Sequence, residues 1–131
     1  MKKVYEIFNT KHSYFRRFLK SPMEAITWQK KIHYEHHKSL YTLETRIEEL
    51  KHIKQWEEGF LFAIKYTIEN IKNAIKYKTL DVYYANKYEI SAKSEAAILA
   101  LEKNQYKDFT EDQYLDLLYY KEGYIRVERS Q

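Results

Sequence analysis

Three closely spaced histidines, His33, His36 and His37, are the densest set of potential metal ligands in the chain. Residues four apart on a helix share a face, so a helical segment here would let His33 and His37 chelate one Zn²⁺ or Ni²⁺. A third donor would then come from His12, His52 or a carboxylate. No paired zinc motif accompanies them, and histidines in a basic segment also serve as surface or interface residues, so no metal and no cofactor is assigned. The same region holds a second constellation: Lys11, Arg16, Arg17, Lys20, Lys30 and Lys31 interleave with Tyr14, Phe15, Phe18 and Trp28. Cations pair with phosphates and aromatic rings stack on bases, so Lys11, Arg16, Arg17, Lys20, Trp28, Lys30 and Lys31 form a candidate nucleic-acid surface. The plainer alternative makes the aromatics core and the cations the solvated face of the same helices.

Further along, Arg46-Ile47-Glu48-Glu49-Leu50-Lys51-His52 separates an arginine and a histidine by five residues. This spacing resembles the Arg-x(4–6)-His signature of HEPN-type ribonucleases, small all-helical dimers with that pair at their interface. The resemblance implies that Arg46 binds the scissile phosphate and His52 acts as general acid or base. It spans seven residues, and Ile47 stands where the family usually has a polar side chain. Residues 84–91, followed by a helix over 94–101, are loosely similar to a helix-turn-helix, with Ala85, Ile90 and Ile98 at its apolar positions. Glu89 occupies the usual turn glycine and Glu95 the apolar anchor. The surrounding stretch is acidic, which opposes contact with phosphates.

Charge divides the chain. Residues 1–38 carry nine Lys/Arg against three acids, whereas 39–131 hold 14 basic and 16 acidic residues. The amino-terminal part is therefore the part expected to attract polyanions or an acidic protein face. The absence of cysteine removes disulfides, thiolate metal sites and cysteine nucleophiles. With two glycines there is no phosphate-cradling loop or dinucleotide fingerprint. No apolar run approaches the ~18 residues of a membrane span. Met1–Glu6 turns polar before a signal-peptide core forms, so a cytoplasmic location is expected.

The elements that must position these residues read as helices. Two glycines and one proline in 131 residues leave little material for tight hairpins. Ser21-Pro22-Met23-Glu24 has the sequence of a helix start, with a capping serine, proline at the first position and glutamate at the third. From Leu40 the apolar positions step by three and four through Leu43, Ile47, Leu50, Leu61, Ile64, Ile68, Ile71 and Ile75, interrupted by Lys54 and Glu57. That is a coiled-coil heptad pattern. It predicts either one helix over about 22–78, ~85 Å long and wanting a partner, or a helical hairpin turning at Gly59. Shorter helices follow: about Leu80–Tyr88, one capped by Ser91 or Ser94, and one opened by the capping box of Thr110 and Gln113. Gly123 is a stop, and Tyr124–Val127 a short strand; residues 2–8 fit a strand or a helical turn.

The sequence thus predicts an all-α fold, a small helical bundle in a single domain over 1–131 with the basic segment 1–38. Fourteen tyrosines, ten of them in the second half, favour association over catalysis because tyrosine is enriched at interfaces. The expected function is that of a non-enzymatic binding protein, a regulator or inhibitor of a macromolecular partner. The size and the abundance of Lys, Ile, Tyr and Asn, residues with A/T-rich codons, suggest a phage or mobile-element protein aimed at a nucleic-acid-processing complex. A protein partner is expected first, with a homodimer through 40–75 as one form. Nucleic-acid binding by 11–38 and HEPN-like ribonuclease activity are the alternatives.

Overall fold

The computed structural model describes residues 1–10, 25–28, 30–77 and 86–130. Lys2–Phe8 form strand β1, a run in which Val4, Glu6, Ile7 and Phe8 are all buried. Ala25–Trp28 (β2) and Lys31–Tyr34 (β3) are also strands, as is Tyr124–Ser130 (β4). They assemble into one sheet in the order β2-β3-β1-β4. β1 lies inside it and runs parallel to both β3 and β4, while β2 and β3 pair antiparallel. The fold is therefore mixed α/β, and the expected all-α bundle is overturned.

The error has a local cause. In β3, Ile32 and Tyr34 are buried while Lys31 is exposed and His33 only partly covered, a period of two that extension of the heptad frame concealed. The helix expected from Ser21 onward is absent from 25–34, and Ser21–Glu24 lie outside the described residues. Within the hairpin Trp28 stands opposite Lys31 and Ala25 opposite Tyr34.

Helix α1 (Leu43–Trp56) starts at Thr42, whose side chain accepts the Thr45 amide. It buries Leu43, Ile47, Leu50 and Ile53, so the first half of the heptad pattern, apart from the exposed Leu40, faces the protein's own core. Gly59, at φ +61°, then breaks the chain direction in a conformation that glycine adopts without steric cost. Helix α2 (Phe60–Tyr77) follows. The continuous coiled-coil helix over 22–78 does not form. Helix α3 (Lys87–Glu102) is capped by Asn86 instead of Ser91 or Ser94 and packs along α1.

Helix α4 (Glu111–Lys121) opens with the capping box expected from sequence, Thr110 and Gln113 each bonding the other's backbone. Thr110→Ala should cost ~1 kcal/mol in urea unfolding, because the Gln113 amide loses its side-chain acceptor. Gly123, at φ +90°, turns the chain from α4 into β4. Between sheet and helices sits a core of Val4, Ile32, Ile47, Leu50 and Leu115 with four fully buried tyrosines, Tyr34, Tyr114, Tyr119 and Tyr124. Phe8 stacks on Tyr34 with ring centroids 4.7 Å apart. These tyrosines are packing residues, which reduces the number that sequence assigned to an interface.

Candidate functional site

The clearest outward feature is on α2. Leu61, Ile64, Ile68, Ile71 and Ile75, the a and d positions of the second half of the heptad pattern, are 62%, 40%, 51%, 55% and 73% exposed. The helix is anchored on its other side. Phe62 packs edge-on against Trp56 and Tyr88, the Tyr66 hydroxyl donates to Glu89, and Asn70 accepts from Asn86. An apolar stripe at helical spacing is what a helix carries toward a partner surface. The exposed charged residues of α2 are Lys65, Lys72 and Lys76, all positive. Lys65 and Lys72 stand seven residues apart and so share one flank of the stripe.

A second feature is buried. Glu6 sits on inner strand β1 with none of its surface exposed. Arg46 from α1 grips it with two hydrogen bonds, Nη2 to Oε1 at 2.8 Å and Nε to Oε2 at 3.1 Å. Arg126 from β4 donates to the same carboxylate at 2.9 Å, and the Tyr34 hydroxyl donates at 3.2 Å. Arg46 also reaches Asp112 at 2.8 Å, Lys38 bridges Asp112 and Glu128, and Arg126 pairs with Asp116 and Glu128. Burial favours the neutral forms of Arg46 and Asp112, but the pairing outweighs it. The Arg46 guanidinium is held still more firmly charged, and Asp112 is brought down to about 2. The network joins β1, α1, α4 and β4, and its charges answer one another.

The third feature lies one to two turns along α1. His52 is buried, and three carboxylates converge on it: Glu48, Glu49 and Glu89. Its Nε2 is 3.0 Å from Glu89 Oε2 and 3.9 Å from Glu48 Oε1. Burial alone would lower the imidazole, yet the pairing with Glu48 and Glu89 and the field of Glu49 raise it well above its ordinary value. Burial pushes Glu49 up to about 7, against the opposing influence of His52 and the Thr27 hydroxyl.

Positions singled out by sequence fall as follows. Lys11, Arg16, Arg17, Lys20 and His12 lie outside the described residues. Trp28 ends β2, Lys30 is in the turn and Lys31 starts β3, so these three share one hairpin end. His33 is in a strand, His36 lies in a bend, and His37 is the extended cap of the 3₁₀ turn Lys38–Leu40, so the helical i,i+4 chelate is not formed. Arg46 and His52 are on one helix but project ~120° apart. Each is enclosed by its own carboxylates, and they share no hydrogen-bond or ion-pair partner among the described residues. The Tyr84–Leu101 segment does not fold as a helix-turn-helix over its described part, since 87–102 is one continuous helix.

Sequence reading missed Glu6, Arg126 and Glu89. A charged residue at the centre of the apolar run Val4–Phe8 was the one signal that Glu6 needs a buried counter-charge. No family model, curated protein or solved structure matches the chain. Among the described residues, no helix is long and apolar enough to cross a membrane.

Proposed function

We propose that the protein acts without catalysis, as a regulator that binds a protein partner by pairing α2 with an acid-flanked helix of that partner. The observation that carries this reading is the outward a/d stripe Leu61–Ile75, anchored from behind, whose exposed charged residues within α2 are all lysines, Lys65 being paired with Glu58 just before the helix. Branched aliphatics at strict three-four spacing suit insertion between the side chains of a second helix. A helix lying in a membrane surface more often adds Trp or Phe to its apolar face. A second copy of the chain is a poorer fit than an acidic partner. A parallel pair would set Lys72 against Thr67, and an antiparallel pair would set lysine against lysine. Of the span 40–75, Leu43, Ile47 and Leu50 are taken up by the protein's own core, which leaves 61–75 for any partner. We place the protein in the cytoplasm, a setting that suits a chain without cysteine.

A synthetic three-heptad peptide with Leu and Ile at a and d and Glu at the flanking positions is the direct probe, compared with its Lys-flanked counterpart by calorimetry. The acidic peptide should bind at least ~10-fold more tightly than the basic one, and its affinity should fall with added salt. Ile68→Asp with Ile71→Asp should weaken it at least ~100-fold, because two exposed aliphatic contacts are lost without disturbing the core. Equal affinity for both peptides, or none for either by a monomeric folded chain, overturns the reading. A twofold mass in light scattering that the double variant abolishes assigns the face to a second copy instead. Uptake by anionic phosphatidylserine vesicles without peptide binding assigns it to a lipid surface.

A further inference from the structure

We infer that Glu48, His52 and Glu89 form a site for one divalent transition-metal ion of the Zn²⁺ class, seated between α1 and α3. The site stands independently of the docking face on α2. One imidazole nitrogen and one oxygen from each carboxylate lie within 4.8 Å of one another. Two ligand atoms at ~2.0–2.1 Å from a tetrahedral ion are ~3.4 Å apart. The observed spacings from His52 Nε2, 3.0 Å to Glu89 and 3.9 Å to Glu48, bracket that value. Rotamer adjustments of the two carboxylates would therefore bring the three atoms around one ion.

Each ligand is aimed by a residue outside the set. Gln55 donates its amide to the Tyr88 carbonyl at 2.9 Å, which leaves its own oxygen facing His52 Nδ1, also at 2.9 Å. The His52 Nδ1–H is thereby engaged, and the Nε2 lone pair is the one presented to Glu48 and Glu89. A carbonyl oxygen on the far ring nitrogen is the usual support of a metal-bound histidine, since it fixes ring orientation and tautomer. Tyr66 donates to Glu89 Oε1 at 2.8 Å, so Oε2 is the oxygen turned toward the imidazole. Glu48 and His52 are one helical turn apart on α1, and Glu89 comes from the first turn of α3.

The donor chemistry selects the ion. An imidazole with two carboxylates suits zinc, nickel, cobalt or iron, whereas magnesium and calcium prefer oxygen alone. A proton on Nε2 competes for the same lone pair, so binding displaces it. With an ion in place α1 and α3 are tied together, and the Tyr66–Glu89 bond extends the tie to α2.

The test is calorimetric titration of the full chain with Zn²⁺ in chelator-treated buffer. His33, His36 and His37 are replaced by Asn in all samples so that the surface histidines are silent. One ion per chain should bind at micromolar or tighter concentration. His52→Gln should weaken it at least ~100-fold and Glu48→Gln at least ~10-fold, while Glu49→Gln should stay within ~3-fold. Circular dichroism checks that each variant is folded. Glu48→Gln, at a partly exposed position, keeps the test decisive if His52→Gln is not folded. Thermal stability should rise with Zn²⁺ and not with Mg²⁺. Absence of uptake by the folded chain, or equal affinity in the Glu48→Gln and unaltered ligand sets, overturns the site.

Discussion

Arg46→Met is expected to destabilise the protein by ~3–5 kcal/mol in urea unfolding, the range for removing one partner from a buried ion pair. The cost comes less from the attraction lost than from the charge left behind. Glu6 has none of its surface exposed and takes two of its four hydrogen bonds from Arg46. After the substitution one arginine and one tyrosine hydroxyl remain to hold a carboxylate that water does not reach. Met preserves much of the arginine's apolar length beside Phe8, so packing changes little. Glu6→Gln in the same background should recover part of the loss, because it removes the stranded charge. The double variant should accordingly be more stable than the sum of the single effects predicts. Lys38→Met is the control. Lys38 is about one-third exposed, so its loss should cost under ~1 kcal/mol. A cost below ~1 kcal/mol for Arg46→Met would show that Glu6 is hydrated and that the network does not hold the sheet to α1.

The dependence of the fold on this network explains which parts of it could be read from the residues. Some local signals held, while the helix expected from Ser21 onward and the cap at Ser91 or Ser94 did not. The capping box at Thr110, the stop at Gly123 and the helical spacing from Leu43 onward depend on a few neighbouring residues, and all three appear in the structure. The heptad phase is also real on both sides of Gly59, but its two halves face different surroundings. Leu43, Ile47 and Leu50 pack inward, whereas Leu61 to Ile75 point to solvent. Periodicity shows that a face is apolar without showing what covers it.

The sheet was illegible for a different reason. β1 and β4 pair in register from Lys2 opposite Tyr124 to Phe8 opposite Ser130, across nearly the whole chain. Nothing local to either segment records that partnership: Tyr124–Val127 reads as a short strand, as found, and residues 2–8 fit a strand or a helical turn equally. The parallel pairs of β1 need no tight turn, and the one antiparallel pair, β2–β3, is joined by two residues that are neither glycine nor proline, so the scarcity of those residues did not exclude this sheet. The charged residues followed the same rule. Arg46 and His52 attracted attention by their spacing on one helix, but their partners come from β1, β4, α3 and α4. Those long-range contacts turned a resemblance to a catalytic pair into two separate buried clusters.

Acid should expose the same network from its carboxylate side. Burial would raise Asp112 and Glu128, but hydrogen bonds from Lys38 and Arg46 bring Asp112 down to about 2, and those from Arg126 and Lys38 lower Glu128 as well. Both folded-state values lie below the ordinary ones of 3.8 and 4.5. The unfolded chain therefore binds more protons than the native one across that interval, and stability falls as acid is added. The contribution of the two groups is complete above pH ~4.5 and is lost as pH drops toward ~2. Each side chain is about one-third exposed, so solvent screening reduces its share to ~1 kcal/mol. Asp112→Asn with Glu128→Gln should cost ~2 kcal/mol at pH 7, and the difference from the unaltered chain should shrink to near zero at pH 2. Urea unfolding at pH 7, 5, 3.5 and 2 measures this directly. A gap between the two proteins that stays constant over the whole range would mean that these carboxyls act through shape and hydrogen bonding alone. A gap that closes on acidification identifies their charge as the part that steadies Arg46, and through it Glu6 at the heart of the sheet.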